Sequence, residues 1–84
     1  MSYEVLILRR AQRELVELPS EAYQRVKESV LNLADQPRPP NSRKLSGREG
    51  WRIRVGSYRV VYEIDDAHQT VTILNVGHRR DVYR

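Results

Sequence analysis

The stretch Trp51 to Tyr62, Trp-Arg-Ile-Arg-Val-Gly-Ser-Tyr-Arg-Val-Val-Tyr, constrains this chain more than any other. Its side chains alternate with period two, break at Gly56-Ser57 and alternate again, which predicts two strands joined by a two-residue loop. Trp51, Ile53 and Val55 take one face, and Arg52 and Arg54 take the other. With the loop at Gly56-Ser57, Val55 falls opposite Tyr58, Arg54 opposite Arg59 and Ile53 opposite Val60. The hairpin therefore sets Arg54 beside Arg59 on the face away from the core. Like charges directly opposite each other destabilise a sheet. An anion with several oxygens, phosphate first, would make such a face useful. The plainer reading is a solvated face over which long cationic side chains lie.

Charge extends the argument beyond the hairpin. Fifteen basic residues against eleven acidic ones give a net charge of +4. Lys27 and Lys44 are the only lysines, so thirteen of the fifteen are arginine, the residue suited to bidentate contact with phosphate or carboxylate. Residues 1–35 carry a net −1, residues 36–64 a net +5, and residues 65–84 balance. The excess thus lies in one loop and the hairpin after it, which is the footprint of a nucleic-acid binder. Acidic proteins and membrane surfaces would be attracted to it too. With 84 residues the chain is expected to form one domain, 1–84, with a modest core. It has no cysteine, hence no disulfide or thiolate metal site, which agrees with a reducing cytoplasm. The longest aliphatic run, Val5 to Leu8, is far too short to span a membrane, and nothing resembles a signal peptide. A cytoplasmic protein with no membrane partner is the expectation.

Tyr3 to Leu8 reads as a strand with little alternation, expected to be covered on both faces. Ala11, Leu15 and Leu18 then recur at helical spacing up to Pro19, which ends the helix. Ser20 offers an N-cap to a second helix, with Glu21 in its first turn. This helix runs to about Asp35 with Ala22, Val26, Val30 and Leu33 as its apolar stripe, and Arg25 facing water. Pro37, Pro39 and Pro40 open an irregular loop to Gly50, in which Leu45 is the anchor and Arg43, Lys44 and Arg48 form a basic lip. After the hairpin comes a polar turn, Asp65 to His68, and a last strand, Thr70 to Val76, ended by Gly77. The expected fold is α+β: an N-terminal strand, a two-helix hairpin and a three-stranded antiparallel meander, with the helices on one face of the sheet. The other face, bearing Arg52, Arg54 and Arg59, stays open.

The residues narrow the chemistry. His68 and His78 are separated by a strand, and no His/Asp/Glu group has metal-ligand spacing. No glycine-rich loop suits a nucleotide, so no cofactor is expected. Both helices are charge-balanced, unlike a DNA recognition helix. What remains is a set of arginines with a terminal tyrosine and a histidine. RNA supplies its own nucleophile, the 2′-hydroxyl. Its cleavage needs alignment with phosphorus, stabilisation of charge on the phosphate, and proton transfer. Arginines can stabilise the phosphate without a metal, and Tyr83 could stack on a splayed base.

Several segments carry a family resemblance: Ala11, Leu15, Leu18 and Pro19; Lys44-Leu45-x-Gly47; Trp51-Arg52-Ile53-Arg54-Val55 followed by Tyr58-Arg59-Val60-Val61-Tyr62; and Val76-Gly77-His78-Arg79-Arg80 with Val82-Tyr83. Through them the whole chain resembles the RelE-type toxins of the RelE/ParE toxin–antitoxin superfamily, whose fold is microbial RNase-like. The resemblance implies the toxin of a type II toxin–antitoxin system, a metal-independent, ribosome-dependent endoribonuclease that cuts mRNA in the ribosomal A site. It implies catalytic roles for Arg54, Arg59, Arg79 and Tyr83. RNA contacts would come from Arg43, Lys44, Arg48, Arg52 and Arg80. The best-known RelE enzymes have lysine where this chain has Arg52 and Arg54. Arginine stays protonated and is a poor base, which leaves His78 as the nearby side chain suited to that role or, alternatively, as a strand-end histidine held by a neighbour. The implied partners are a cognate antitoxin, the ribosome and mRNA, with DNA reached only through the antitoxin complex. The alternative is a ParE-like toxin that shares the fold, inhibits DNA gyrase and cuts nothing.

Overall fold

A computed structural model of the chain describes residues 2–78. In chain order these form strand β1 (Glu4–Ile7), helices α1 (Arg9–Val16) and α2 (Ser20–Asn32), and strands β2 (Ser42–Lys44), β3 (Trp51–Val55), β4 (Tyr58–Asp65) and β5 (Thr70–His78). The strands make one five-stranded sheet in the order β1-β5-β4-β3-β2. β1 runs parallel to β5, and every other pair is antiparallel. Both helices pack on one face of this sheet, α1 over β5 and α2 over β3 and β4.

The core fills the layer between them. Ala11, Leu15, Val26, Val30 and Leu33 descend from the helices onto Ile53, Val60, Tyr62, Val71, Ile73 and Val76. A fully buried Ile53 or Val26 contributes about 1.5–3 kcal/mol through apolar surface removed from water. Tyr62 is also buried, and its hydroxyl donates to the carbonyl of Pro37 at 2.7 Å. Burial pushes that phenol up to about 12, so it remains a donor at any physiological pH and ties the proline-rich segment to the sheet.

The hairpin register agrees with expectation at each pair: Val55 with Tyr58, Arg54 with Arg59, and Ile53 with Val60. Gly56 takes a positive φ of 60° in the loop, a conformation glycine adopts without steric penalty. Four details differ. β1 is an edge strand covered on one face only, and Leu6 is left 45% exposed. Helix α2 is capped by Pro19, and Ser20 is its first helical residue with no side-chain cap bond. Proline fits there because it presets φ and has no N–H to leave unpaired. The segment expected to be an irregular loop contains β2, whose three residues pair with β3. Gly77 does not end the last strand, because it pairs with Arg59 and the ladder continues to His78. Leu45 does anchor the remaining loop. Its amide donates to the carbonyl of Gly50 at 3.0 Å, and its side chain lies against Gly50.

Candidate nucleic-acid interface

Strand alternation places Arg52 and Arg54 of β3, and Arg59 and Val61 of β4, on the face away from the helices. β2 adds a cation that its short sequence conceals. Its Arg43 lies opposite Arg52, so this face holds two cross-strand arginine pairs, Arg43 with Arg52 and Arg54 with Arg59. On β5, Asn75 stands opposite Val61, and Gly77 stands opposite Arg59 without a side chain to crowd it. Asn41 holds the outer strand in place by donating to the backbone carbonyl of Arg54 at 3.0 Å. The result is a cationic surface whose arginines stand on three adjacent strands, β2, β3 and β4.

Two arginines away from this face are engaged in ion pairs. Arg10 pairs with Glu14 at 3.4 Å, and Arg38 pairs with Asp66 at 2.8 Å. Among the described residues, Arg43, Arg52 and Arg54 have no ion-pair partner. Arginines set opposite one another across neighbouring strands suit a surface for an external polyanion.

The basic lip divides. Lys44 pairs with Trp51 on the other side of β2 from Arg43, and its ammonium lies 5.8 Å from the indole centre. The Arg38 guanidinium lies 5.2 Å from the same ring and makes two hydrogen bonds to Asp66, at 3.3 and 2.8 Å. The Tyr3 hydroxyl also donates to Asp66, at 2.6 Å. The Arg38 and Tyr3 bonds hold the Asp66 carboxyl below the usual carboxylate range, and the same bond raises Tyr3. This group fastens the N-terminal strand and proline-rich segment to the β4–β5 turn and uses Arg38 internally. Arg48 stands exposed in the loop between β2 and β3.

His78 belongs to the other face. It lies opposite Tyr58, and the two rings meet edge to face with centres 5.9 Å apart. The structure therefore places His78 on the helix-facing side at the hairpin end and does not bring it among Arg52, Arg54 and Arg59. His68 sits in the β4–β5 turn, where its ring nitrogen lies 2.8 Å from Asp65. Arg79, Arg80 and Tyr83 lie outside the described residues. Among the described residues no group of three or more His, Cys, Asp or Glu side chains could hold a metal ion. No described helix is long and apolar enough to cross a membrane.

Arg25 was not expected near the site. Its guanidinium lies against Gly56, with nitrogens 3.9 Å from where a Cβ on that residue would be. Arg25 and Arg54 line one open cleft of about 400 Å³ where α2 meets the hairpin end, together with Glu28, Ser29, Asn32 and Gly56. The available signal was its position just before buried Val26, at the margin of the stripe that packs on the sheet.

The chain matches, over residues 5–83, the family described as ParE toxin of type II toxin–antitoxin system, parDE. It is 40% identical over 88 aligned positions to Toxin RelG of Mycobacterium tuberculosis, covering 100% of this chain and 99% of that protein. Toxin RelE of the same organism is 36% identical, with 98% and 87% covered. The fold is similar to the toxin–antitoxin complex RelBE2 from Mycobacterium tuberculosis, with a TM-score of 0.83, 34% identity and 94% and 100% coverage. It is also similar to the archaeal RelE–RelB complex from Pyrococcus horikoshii, with a TM-score of 0.84, 30% identity and 98% and 100% coverage.

Proposed function

The chain belongs to the RelE/ParE family of type II toxin–antitoxin toxins, and from that premise we propose that it is a ribosome-dependent mRNA endoribonuclease. The observation that carries this reading is the two cross-strand arginine pairs, Arg43 with Arg52 and Arg54 with Arg59, on the sheet face away from the helices. In the proposed reaction the 2′-oxygen forms a bond to the adjacent phosphorus and the bond to the 5′-oxygen breaks. The products are a 2′,3′-cyclic phosphate and a free 5′-hydroxyl, which takes up a proton as the 2′-hydroxyl loses one. Arg54 and Arg59 stabilise the charge gathering on the phosphate, while Arg43 and Arg52 hold the flanking backbone. We assign these arginines the electrostatic part of the reaction and no proton transfer. Arg79 and Tyr83 complete the proposed site, one on the phosphate or leaving oxygen and the other stacked on a base. Arg48 and Arg80 are assigned to peripheral contact with RNA, while Lys44, turned to the Trp51 side of β2, is given none.

The proposed setting is the cytoplasm. A cognate antitoxin is the natural partner, since the similar solved structures include RelB-type complexes. An acidic, partly disordered segment would neutralise the arginine face and gain order on binding.

The test is purified protein added to a translating extract. Message should be cut only when ribosomes are present, and Arg59→Ala should slow cutting about a hundredfold or more, as loss of a charge-stabilising donor does. The second reading, gyrase inhibition, is favoured by the parDE description of the matched family. Intact message together with arrested supercoiling would replace the first reading with the second.

A further inference from the structure

We propose that Glu14 is a positioning residue for the arginine site, acting as a side-chain substitute for a missing β-strand. This rests on the nuclease reading for its catalytic consequence, but the structural part stands without it. β1 covers the outer edge of β5 only from Thr70 to Ile73, and the last backbone bond along that edge runs from the Leu8 amide to the Ile73 carbonyl at 3.1 Å. The chain then turns into α1, while β5 continues to His78. Beyond Ile73 this edge has no neighbouring strand among the described residues.

The Val76 amide faces that gap, and Val76 is buried at 2% exposure. A backbone donor in such a place needs a partner. Glu14, reaching down from α1, accepts from it through Oε1 at 2.8 Å. Its other oxygen, Oε2, is 3.4 Å from Arg10 Nε. The Asn75 carboxamide, with its oxygen turned to the helix, accepts from Arg10 Nε and Nη2 at 3.2 Å each. Arg10 and Glu14 thus clip residues 75 and 76 together, and the acceptor is a carboxylate, which strengthens the bond.

The position of this clip gives it a consequence. The register of β4 with β5 shifts between Val61 and Tyr62, so that Tyr62 faces Ile73 while Val61 faces Asn75, leaving Leu74 as an extra residue. Past such a bulge the ladder is short, and a slip of one residue would exchange the two faces of β5. In the observed register Gly77 is opposite Arg59, which keeps the neighbourhood of that guanidinium free of a β5 side chain. A slip would bring Val76 or His78 there instead. Glu14 fixes the register by holding the N–H of the residue just before Gly77. It touches no substrate, so its effect falls on the chemical step more than on RNA affinity.

The experiment compares Glu14→Ala with Glu14→Gln in the full chain. Glutamine keeps an acceptor oxygen for Val76 and loses only the charge. Two readouts are taken: amide hydrogen exchange at Val76 and Gly77, and mRNA cleavage on programmed ribosomes resolved into kcat and KM. Glu14→Ala should lose about tenfold or more of the Val76 protection, the scale of one hydrogen bond. It should lower kcat about tenfold with KM within about twofold, and Glu14→Gln should restore most of both. Loss of Val76 protection with kcat unchanged would overturn the positioning role. So would an exchange loss spread equally to Val60 and Ile73, or a kcat loss that glutamine does not rescue. If the wild-type chain cuts no message, the nuclease reading fails, and the exchange pattern still decides whether Glu14 holds the strand.

Discussion

Replacing Arg54 with glutamine removes one member of a like-charged pair while keeping a long polar side chain on β3, so the fold should gain stability as the site loses function. The cross-strand partners Arg54 and Arg59 set their guanidinium groups about 6 Å apart if the side chains extend in parallel from directly opposed positions. Two unit charges at that separation repel by about 0.7 kcal/mol in water before screening. Screening leaves about 0.6 kcal/mol at about 0.01 M salt, about 0.3 kcal/mol at about 0.15 M, and about 0.1 kcal/mol at about 1 M. For a domain of this size the low-salt figure corresponds to a rise in melting temperature of about 2–5 °C. The assay is thermal unfolding of wild type and Arg54→Gln across that salt series, with Arg48→Gln as a control from an exposed loop outside either pair. The gain should be largest at low salt and close to zero at high salt, and the control should show none. RNA binding measured on the same proteins should weaken, with the salt slope falling by about one phosphate contact. An Arg54→Gln protein less stable than wild type at low salt, or a gain indifferent to salt, would refute the claim that Arg54 and Arg59 repel each other across the hairpin.

Arg25→Ala tests whether the cationic surface continues around the hairpin end. KM on programmed ribosomes should rise about threefold to tenfold with kcat unchanged, and an unchanged KM would confine the interface to the open face. Asp66→Asn tests the Arg38 contact through pH. The folded carboxyl sits below its unfolded value because of bonds from Arg38 and Tyr3. Its contribution is therefore complete above the unfolded value of about 4 and is lost as pH falls through the lower folded value. The variant should melt below wild type at neutral pH, and the gap should narrow as pH falls below about 4. A gap that persists in acid would assign the effect to packing around Trp51 instead.

The hairpin was legible because Gly56-Ser57 fixes the loop, and the loop sets every pair from Val55–Tyr58 back to Ile53–Val60. The helices and most of their buried residues were legible from spacing that recurs every three or four positions. β2 was not, since Ser-Arg-Lys has no apolar alternation and its pairing comes from backbone bonds that any sequence can make. That omission hid the Arg43–Arg52 pair and the division of Arg43 from Lys44 across β2. The extension of β5 through Gly77 was hidden for a related reason. Glycine usually marks a strand end, but here a position opposite Arg59 favours a residue without a side chain. Glu14 carries no sequence signal for its contact, and Arg25 carries only its place beside buried Val26, because each contact depends on how a helix is laid over the sheet. Arg79, Arg80 and Tyr83, the sequence-derived completion of the site, fall outside the described residues.

The charges along β4 explain how a polyanion would lie on this sheet. Its face away from the helices reads Arg59, Val61, Glu63 and Asp65, with residues of one face about 6.6–6.8 Å apart along the strand. A phosphate backbone following β4 would leave Arg59, cross one apolar position and meet two carboxylates within about 20 Å. Those carboxylates border an acidic cleft with Glu49 and Asp66. A backbone crossing the strands would instead pass from Arg54 to Arg59, or from Arg43 to Arg52, with each step about 4.8 Å in the hydrogen-bonding direction. Attraction therefore favours a path across the hairpin end and opposes one down its length. The pairing of the other cations reinforces this. At the acidic end Arg38 is engaged by Asp66, and at the β5 edge Arg10 is engaged by Glu14, so neither competes for the ligand. Arg43, Arg52 and Arg54, which have no ion-pair partner among the described residues, lie where a strand of RNA crossing β3 would meet them.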